Sequence, residues 1–451
     1  MSRAELRAGI SLAGVYGLRM LGLFFILPVF AVHAPSLEGG RDLALVGLAL
    51  GVYGLSQGIL QIPFGMASDR WGRKPVLYVG LLVFAVGSFL GVAAQDIWTA
   101  IAARTLQGAG AVNSVAMALA ADLTREQHRT KIMAMIGASI GLMFALSLVG
   151  APLAYRAVGM EGIFALTGLL ALAAIWVVKS QVPDPPASPP EPKAAAERAP
   201  ALLDVELLRL NAGIFVLHIV LYAMFVVVPP LLLEAGLDLP EHWKLYLPVV
   251  LASFALMVPP ILYADRRNRP KPVLIAAVAA LVLVEAAFAG LKVGIAGLAV
   301  LMLGFFVAFN VLEAMLPSLV SRRAPRRGRG VAIGVYNTTQ TLGVFFGGLL
   351  GGWMAKHFGT TGVFAACALL SLLWLVIAVG MRSPASPVND LSSLTFNIAS
   401  GVDLEGLREA LSRVHGVRTA EVLAQERIAR LTVVPGQWDE GKVRKLITGE
   451  A

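Results

Sequence analysis

Twelve long apolar segments run through this sequence of 451 residues, and they limit the folds that the chain can adopt. We place them near residues 8–32, 43–66, 74–94, 97–121, 130–154, 160–179, 210–233, 243–264, 272–290, 294–319, 330–355 and 361–381. A helix needs about 20 apolar residues to cross a bilayer, and each segment is close to that length or longer. Because backbone polar groups in lipid must be satisfied within the segment, the sequence predicts an all-α membrane protein with twelve transmembrane helices.

The composition excludes several classes of protein. Charged residues make up 14% of the chain, against about 25% in an ordinary soluble domain, which excludes a soluble enzyme and a nucleic-acid binder of the usual kind. The single cysteine, Cys367, rules out an internal disulfide and a metal site built on cysteines. The sequence has no pattern typical of a nucleophile, a metal site or a phosphate-binding loop, so we expect neither enzymatic activity nor a cofactor.

The basic residues predict how the helices are oriented. Four loops, at 67–74, 122–131, 265–271 and 320–329, contain fifteen Lys or Arg residues, whereas the loops on the opposite side contain five. Cytoplasmic loops carry the excess of Lys and Arg, so these loops and both termini are expected in the cytoplasm, with the helices in a bacterial inner membrane. This arrangement accounts for the net charge of +9 without a nucleic-acid partner.

Two polar, proline-rich stretches divide the chain, and extended linkers have this composition. We expect a six-helix bundle over 1–179, a cytoplasmic linker over 180–209 and a second six-helix bundle over 210–382. A short linker over 383–390 then leads to a small soluble domain over 391–451.

The two bundles share sequence features at a constant spacing. The dipeptide Asp-Arg occurs at 69 and at 265, and the tripeptide Lys-Pro-Val begins at 74 and at 271. A second locus, Ala-Met-Ile-Gly at 134, is matched by Val-Ala-Ile-Gly at 331. These offsets of 196 and 197 residues favour a duplicated six-helix unit over chance similarity between apolar segments.

The loop after the second segment identifies a family. Its sequence GMASDRWGRK, residues 65–74, resembles the G-x-x-x-D-R-x-G-R-[KR] signature of the major facilitator superfamily. The resemblance implies two bundles that rock about a central cavity, with a gate that holds the cytoplasmic face closed. It places Asp69 near the start of span eleven and Arg73 between Asp69 and Asp122. The gating residues are then Gly65, Asp69, Arg70, Gly72, Arg73, Lys74 and Asp122; the alternative is that these charges only anchor the loop in the cytoplasm.

Span four contains RTLQGAG, residues 104–110, which resembles the R-x-x-x-G-x-G signature of proton-linked members of the superfamily. The resemblance implies that Arg104 takes part in proton coupling; a purely structural hydrogen-bonding role is the alternative. Span five ends in VGAP, residues 149–152, and departs from the drug-antiporter pattern G-P-x-x-G-G. The sequences GLRML at 17–21 and NVLEAMLPS at 310–318, together with the soluble tail, are similar to those of the YajR-type transporters, a group of proton-driven efflux transporters.

The superfamily fold implies which polar residues face the cavity, because its spans 1, 4, 7 and 10 line it and spans 2, 5, 8 and 11 lie beside it. Glu313 is the best candidate for a proton carrier, and His218 is a second candidate. The alternatives are that Glu313 bonds Asn310 one turn back and that His218 is simply hydrogen-bonded. For Glu285, on the peripheral span nine, we expect a structural pairing. The other cavity candidates are Arg19, Gln57, Gln61, Asn113, Tyr222, Asn310, Tyr336, Asn337 and Gln340.

Glycines spaced four residues apart mark close helix contacts. They occur at 47/51, 54/58, 137/141 and 343/347/351, on spans 2, 5 and 11. We expect these glycines to allow close helix contact on spans that slide against the opposite bundle.

The tail predicts a different fold. Residues 391–398 alternate like a strand, 403–414 have helical apolar spacing, 417–423 and 428–434 form a hairpin, and 438–447 form a second helix. This β-α-β-β-α order is ferredoxin-like and resembles the YAM domain of the YajR-type transporters. The first loop, 397–403, lacks the cysteines through which similar folds bind metal. Regulation or self-association is one role for the domain, and stabilisation of the chain is the other.

These patterns predict a secondary active transporter that exports small amphipathic solutes or drugs in exchange for protons by alternating access. Its partners are then a small-molecule solute, protons and the lipid bilayer, and the transport unit is a monomer. Two alternatives stay open. One is a proton-coupled importer of an unknown solute, and the other is a non-transporting membrane sensor regulated through the C-terminal domain.

Overall fold

A computed structural model describes residues 3–184, 204–324, 329–382, 392–399, 402–404, 406–423, 427–433 and 438–449. The chain divides into two units, Met1–Met381 and Arg382–Ala451. The first unit is helical. Its helices are α1 (Arg3–His33), α2 (Leu43–Trp71), α3 (Arg73–Val92), α4 (Ile97–Ala109), α5 (Asn113–Asp122), α6 (Glu126–Gln181), α7 (Val205–Glu234), α8 (Trp243–Arg266), α9 (Pro270–Gly290), α10 (Ile295–Arg323) and α11 (Arg329–Val379).

Within the described residues, nine helices are long and apolar enough to cross a membrane. Two of these helices contain a non-helical glycine, Gly159 in α6 (φ 68°) and Gly359 in α11 (φ 67°), where the chain turns from one span into the next. A positive φ is readily adopted only by glycine. When both helices are divided there, and α4 with α5 is counted as one broken span, twelve spans result, as the sequence predicts.

Span four differs from its expected form as one continuous segment over 97–121. The helix stops at Ala109 and resumes at Asn113. Packing is close at the break, because a Cβ on Gly110 would lie 2.4 Å from the carbonyl oxygen of Gly80. The backbone of span four thus approaches that of span three directly.

The helices pack as two bundles. In the first bundle α6 packs against α1 and α3, and α4 packs against α2 and α3. In the second bundle α11 packs against α7 and α9, and α10 packs against α8 and α9. The bundles contact each other through α2 with α11, α1 with α7, and α6 with α8. The expected two six-helix halves are therefore confirmed.

A matched pair of lysines repeats the same interaction in the two halves. Lys74, at the start of span three, donates to the carbonyl of Val182 just after span six, at 2.7 Å. Lys271, at the start of span nine, donates to the carbonyl of Met381 just after span twelve, at 2.5 Å. The Lys-Pro-Val tripeptide found twice in the sequence thus occupies equivalent positions in the halves.

Glycines bring α2 and α11 into backbone contact. A Cβ on Gly47 would lie 2.1 Å from the carbonyl oxygen of Gly348, and one on Gly51 would lie 2.6 Å from that of Phe345. The glycines of α2 therefore face the opposite half, as expected.

The other glycine repeats differ from one another: close helix contact is confirmed for the repeat on span eleven and is wrong for the pair on span five. Gly343, Gly347 and Gly351 pack against α7 of their own half, and Gly348 and Gly352, one position on, face α2. The helix turns about 100° per residue, so a shift of one position changes the partner helix. A Cβ on Gly137 or Gly141 would meet nothing within 4 Å.

The second unit has the predicted order of elements. It contains β1 (Ser392–Asn397), α12 (Leu407–Ser412), β2 (Val417–Leu423), β3 (Ile428–Val433) and α13 (Glu440–Thr448). The strands form an antiparallel sheet in the order β1-β3-β2. Buried residues such as Leu411, Leu431 and Val443 form its core. The first helix starts at Leu407 rather than at 403, after Gly406 with φ 83°.

We predict that Gly47→Ala will weaken the contact between the halves, because its methyl group overlaps the backbone at Gly348. Overpacking of this kind costs about 1–3 kcal/mol, so the melting temperature of the detergent-purified protein should fall. Gly137→Ala is the matched control, since that site is open and alanine favours the helix by about 1 kcal/mol. Equal melting temperatures for the two variants would contradict the backbone contact.

Candidate functional site

The loop between α2 and α3 gathers three charged side chains. Gly72 turns the chain there with φ 94°. Arg73 then donates from Nε to Asp122 at 2.8 Å and from Nη1 to Asp69. It also donates to the Ser68 hydroxyl at 2.7 Å, a partner that the sequence motif does not indicate. The structure thus brings Asp69, Arg73 and Asp122 together, as the resemblance implied.

The other motif residues lie around this cluster. Lys74 forms an ion pair with Asp184 at 2.7 Å, whereas Arg70 is exposed and forms no ion pair with a described residue. Gly65 lies beside Ser114 of α5, where a Cβ added to the glycine would be 3.6 Å from the serine hydroxyl. The Asp69 side chain is 66% exposed, and its expected contact with the start of span eleven stays a prediction.

Two buried arginines occupy the first half. Arg19 of α1 donates to the Asn113 side chain, to the Tyr53 hydroxyl at 2.6 Å and to Gln57 Oε1 at 3.4 Å. The expected cavity residues Arg19, Gln57 and Asn113 therefore form one network. Gln61 does not join it: its carbonyl accepts from Ser114 at 2.9 Å, and its amide oxygen is buried without a partner among the described residues.

Arg104 of α4 belongs to a neighbouring network. It donates to Gln107 at 2.8 Å and to the carbonyl of Ala49 at 3.4 Å. Gln107 in turn donates to Ser88 of α3 at 2.9 Å. The guanidinium carbon of Arg104 lies 5.0 Å from the centre of the Tyr53 ring, a cation–π distance. Arg104 is thus held by hydrogen bonds within the first half.

A second polar cluster joins spans 7, 10 and 11 of the other half. Gln340 Nε2 donates to Glu313 Oε1 at 3.2 Å and to His218 Nε2 at 2.8 Å. Because His218 Nε2 accepts this bond, its ring hydrogen lies on Nδ1, which donates to the carbonyl of Ile214 at 3.2 Å. Glu313 Oε2 and the Tyr336 hydroxyl are buried there without partners in the described part of the chain. The amide of Gln340 therefore bridges Glu313 and His218, and both of these side chains can bind a proton.

Two expectations for this half come out differently. Asn310 donates to the hydroxyl of Ser253 at 3.0 Å, so the alternative in which it bridges to Glu313 is wrong. Of the other cavity candidates, Asn337 is half-buried and Tyr222 is buried, and their place at the cavity stays a prediction. Both carboxylate oxygens of Glu285 are buried without partners among the residues described, so its expected structural pairing is also wrong; it faces Cys367 within the second half.

An ion pair joins the start of α2 to the end of span eleven, which is the part of α11 before Gly359. It lies at the end of α2 away from the motif loop. Lys356 donates to Asp42 Oδ2 at 2.7 Å, and Asp42 also caps α2 by accepting from the backbone of Ala44 at 3.0 Å. The hydrogen bond from Lys356 lowers the pKa of Asp42 below its usual 3.8. We call this the far-side pair. No sequence pattern predicts this pair, although Asp42 just before span two is a typical N-cap signal.

Arg73→Gln should destabilise the protein, because it removes a partly buried cation between two carboxylates. Hydrogen bonds to charged groups contribute about 1.5–3 kcal/mol each, so we expect a clear fall in the melting temperature of the purified protein. Arg70→Gln, three residues away and exposed, is the matched control and should change stability by less than about 0.5 kcal/mol. An equal fall in melting temperature for both variants would contradict a stabilising role for the contacts of Arg73 with Asp69 and Asp122.

The far-side pair predicts a pH effect. Because the pKa of Asp42 is depressed by Lys356, the pair stabilises the protein above pH 3.8 and is lost as the pH falls through the depressed value. Wild type should exceed Lys356→Gln in stability by up to about 1 kcal/mol, since both side chains are partly exposed. That difference should be fully present at neutral pH and should shrink progressively as the pH falls below 3.8. Lys292→Gln, an exposed lysine, should show no such pH-dependent difference in thermal melts.

Comparison with known proteins shows the family. The model of the Major Facilitator Superfamily matches residues 12–348 and 263–414. The inner membrane transport protein YajR of Escherichia coli (strain K12) is 39% identical over 436 residues, which cover 96% of this chain and 95% of that protein. The class B tetracycline resistance protein of Escherichia coli is 33% identical over 124 residues, covering 27% of this chain and 31% of that protein.

Solved structures share the fold. The crystal structure of a D-xylose–proton symporter matches with a TM-score of 0.68 at 16% identity and covers 84% of this chain and 98% of that one. At this identity the likeness shows the fold alone. The duplicated bundles, the complete loop motif and the full-length relative lead to one conclusion: the chain belongs to the Major Facilitator Superfamily and is a secondary transporter of the YajR type with a C-terminal YAM-type domain.

Proposed function

We propose that this protein exports small amphipathic solutes or drugs in exchange for protons, by alternating access across the bacterial inner membrane. Both termini and the YAM-type domain lie in the cytoplasm in this proposal. The observation that carries it is the Glu313 carboxylate, which lies between spans 7, 10 and 11 with one oxygen bonded to Gln340 and the other without a partner among the described residues.

The packing between the halves supports alternating access. The halves are in backbone contact along the far-side ends of α2 and α11, where the far-side pair also joins them. At the other end of α2, Ile59, Ile62 and Met66 are exposed. If the two halves closed on that side, they would cover these side chains, and the backbones of α2 and α11 would move apart at their glycines. The charges around Arg73 then act as the gate of the closed state, in agreement with the role implied for the motif.

Glu313 can couple protons to this movement. A carboxylate costs much more free energy in a dry site than in a wet one, and a change of access changes its contact with water. Binding a proton would give Oε2, now without a partner in the described residues, a hydrogen to donate. His218 accepts from the same Gln340 amide, so its protonation is linked to that of Glu313 through the amide. Arg104 contributes by holding span four in place.

An aromatic cluster suits an amphipathic solute. Phe144 of span five lies 5.1 Å from Phe24 of span one and 6.4 Å from Phe225 of span seven, measured between ring centres. The cluster therefore spans both halves, and aromatic side chains commonly line solute sites. Export is favoured over import by similarity to a tetracycline resistance protein, whose name fits removal of a drug.

We predict that Glu313→Gln will abolish the dependence of transport on a proton gradient. The test loads the purified protein into proteoliposomes with tetracycline or other amphipathic solutes and imposes a pH difference. Flux driven by the gradient should fall at least about tenfold, which corresponds to about 1.4 kcal/mol. Glu285→Gln is the matched control, because Glu285 is a buried carboxyl away from the interface between the halves, and its flux should stay near wild type.

Other outcomes would favour the alternatives. Flux that ignores the pH gradient in wild type, or that survives Glu313→Gln unchanged, would overturn proton coupling. Gradient-driven accumulation in the opposite direction would indicate an importer. Solute binding that alters the C-terminal domain, with no flux for any solute in a broad panel, would indicate a sensor.

A further inference from the structure

Span four is interrupted within the first half, and a second helix starts inside the bundle at this interruption. Helix α5 begins at Asn113, contains ten residues, and has no side-chain cap at Val112. The first N–H groups of a helix lack partners within it, and the helix dipole places positive charge there. Discontinuous membrane helices use such ends to bind anionic groups of solutes.

The guanidinium of Arg19 lies at this interruption. It donates to Asn113, the first residue of α5, and to the carbonyl of Gly110 at 3.4 Å. Arg19 is 1% exposed, and its Nε is buried without a hydrogen-bond partner in the part of the chain that the structure describes. A buried, unused donor on a charged group therefore lies beside the start of α5.

A second cation adds to this positive charge. The guanidinium carbons of Arg19 and Arg104 lie 5.8 Å and 5.0 Å from the centre of the same Tyr53 ring. Their hydrogen-bond partners are neutral amides, a hydroxyl and backbone carbonyls. Among the described residues, no carboxylate pairs with either arginine. Buried charges without an opposite charge are costly, and an anion would neutralise this pair.

We propose that Arg19 and the start of α5, with Arg104 beside them, bind the anionic group of the transported solute, so that the solutes are amphipathic organic anions. The site rests on the transport function proposed above and narrows its substrate class. Phe24, five residues after Arg19 on α1, contacts Phe144, and these rings receive the apolar part of the solute. Negative charge on the solute, rather than apolar character alone, then determines which compounds bind.

The test measures equilibrium binding to the full-length purified protein, without any pH gradient. The probes are naphthoate, naphthamide and naphthylmethylammonium, which share the ring system and differ in charge. Calorimetry and thermal shift at constant ionic strength should show naphthoate binding at least about tenfold more tightly than the other two, since hydrogen bonds to charged groups contribute this much or more. Equal affinities for all three probes in wild type would overturn the proposal without the need for any variant.

Variants then locate the site. Arg19→Gln should weaken naphthoate binding about tenfold or more and leave naphthamide binding unchanged, with Arg19→Lys intermediate because it keeps the charge. Arg156→Gln, an exposed arginine, is the control and should bind as wild type. If Arg19 only supports the helix break, Arg19→Gln lowers the melting temperature but keeps the preference for naphthoate, and the proposal fails.

Competition between inorganic phosphate and naphthoate distinguishes a site for any small anion from a site for organic solutes. Displacement of naphthoate only by organic anions supports the assignment, whereas phosphate binding as tightly as naphthoate overturns it. The outcome is distinct from that of the flux experiment. Anion binding that depends on Arg19, with no gradient-driven flux, would overturn proton-coupled export and leave the anion site in place.

Discussion

A bilayer offers no water to polar groups, and each polar group within a span must therefore find its partner in the protein. Regular helices meet this requirement for most of the backbone. The helical pattern is interrupted within span four. Span four breaks at Gly110–Val112, and Arg19 and Asn113 lie where it breaks. Other buried polar side chains, among them Arg104 in the first half and His218 in the second, are held in side-chain networks within their own half.

The networks of the two halves differ in charge although the halves share a fold. The common ancestry is visible at Lys74 and Lys271, which make the same bond to the end of the last span in each half. The first half contains two buried cations, Arg19 and Arg104, and no described carboxylate pairs with them. The second half contains Glu313, His218 and the amide of Gln340 that joins them. Duplication thus supplied the scaffold, and later divergence placed cations and titratable groups on opposite sides of the interface.

The interface between the halves combines strong and weak contacts. Glycines allow the backbones of α2 and α11 to touch, and the Asp42–Lys356 pair is partly exposed and therefore contributes little. Contacts of this kind can separate without leaving a buried charge alone. The cluster of Asp69, Arg73 and Asp122 at the other end of α2 lies within the first half and needs no partner from the second half to stay intact.

Much of this architecture follows from the sequence. The apolar segments, the repeat offset of 197 residues and the loop motif each depend on local residue order, and each predicted its structural counterpart. The contact of Arg73 with Asp69 and Asp122 was also predictable, since the motif contains Asp69 and Arg73 and the family resemblance implies an acid at Asp122. The glycine repeat on span eleven predicted close packing but not its partner, because the helix rotation that turns Gly348 and Gly352 toward α2 is set by the packing of all its neighbours.

The sequence by itself determined the membrane spans, the duplicated halves, the family and the identity of most polar candidates, because hydrophobicity and spacing are properties of the chain. Only the tertiary structure decided which candidates meet. It paired Glu313 with Gln340 instead of Asn310, left Glu285 without a partner among the described residues, joined Asp42 to Lys356 across 314 residues, and placed two arginines beside one tyrosine ring. These contacts join residues far apart in the chain, and their geometry depends on helix rotation and on the break in span four, which no local pattern specifies.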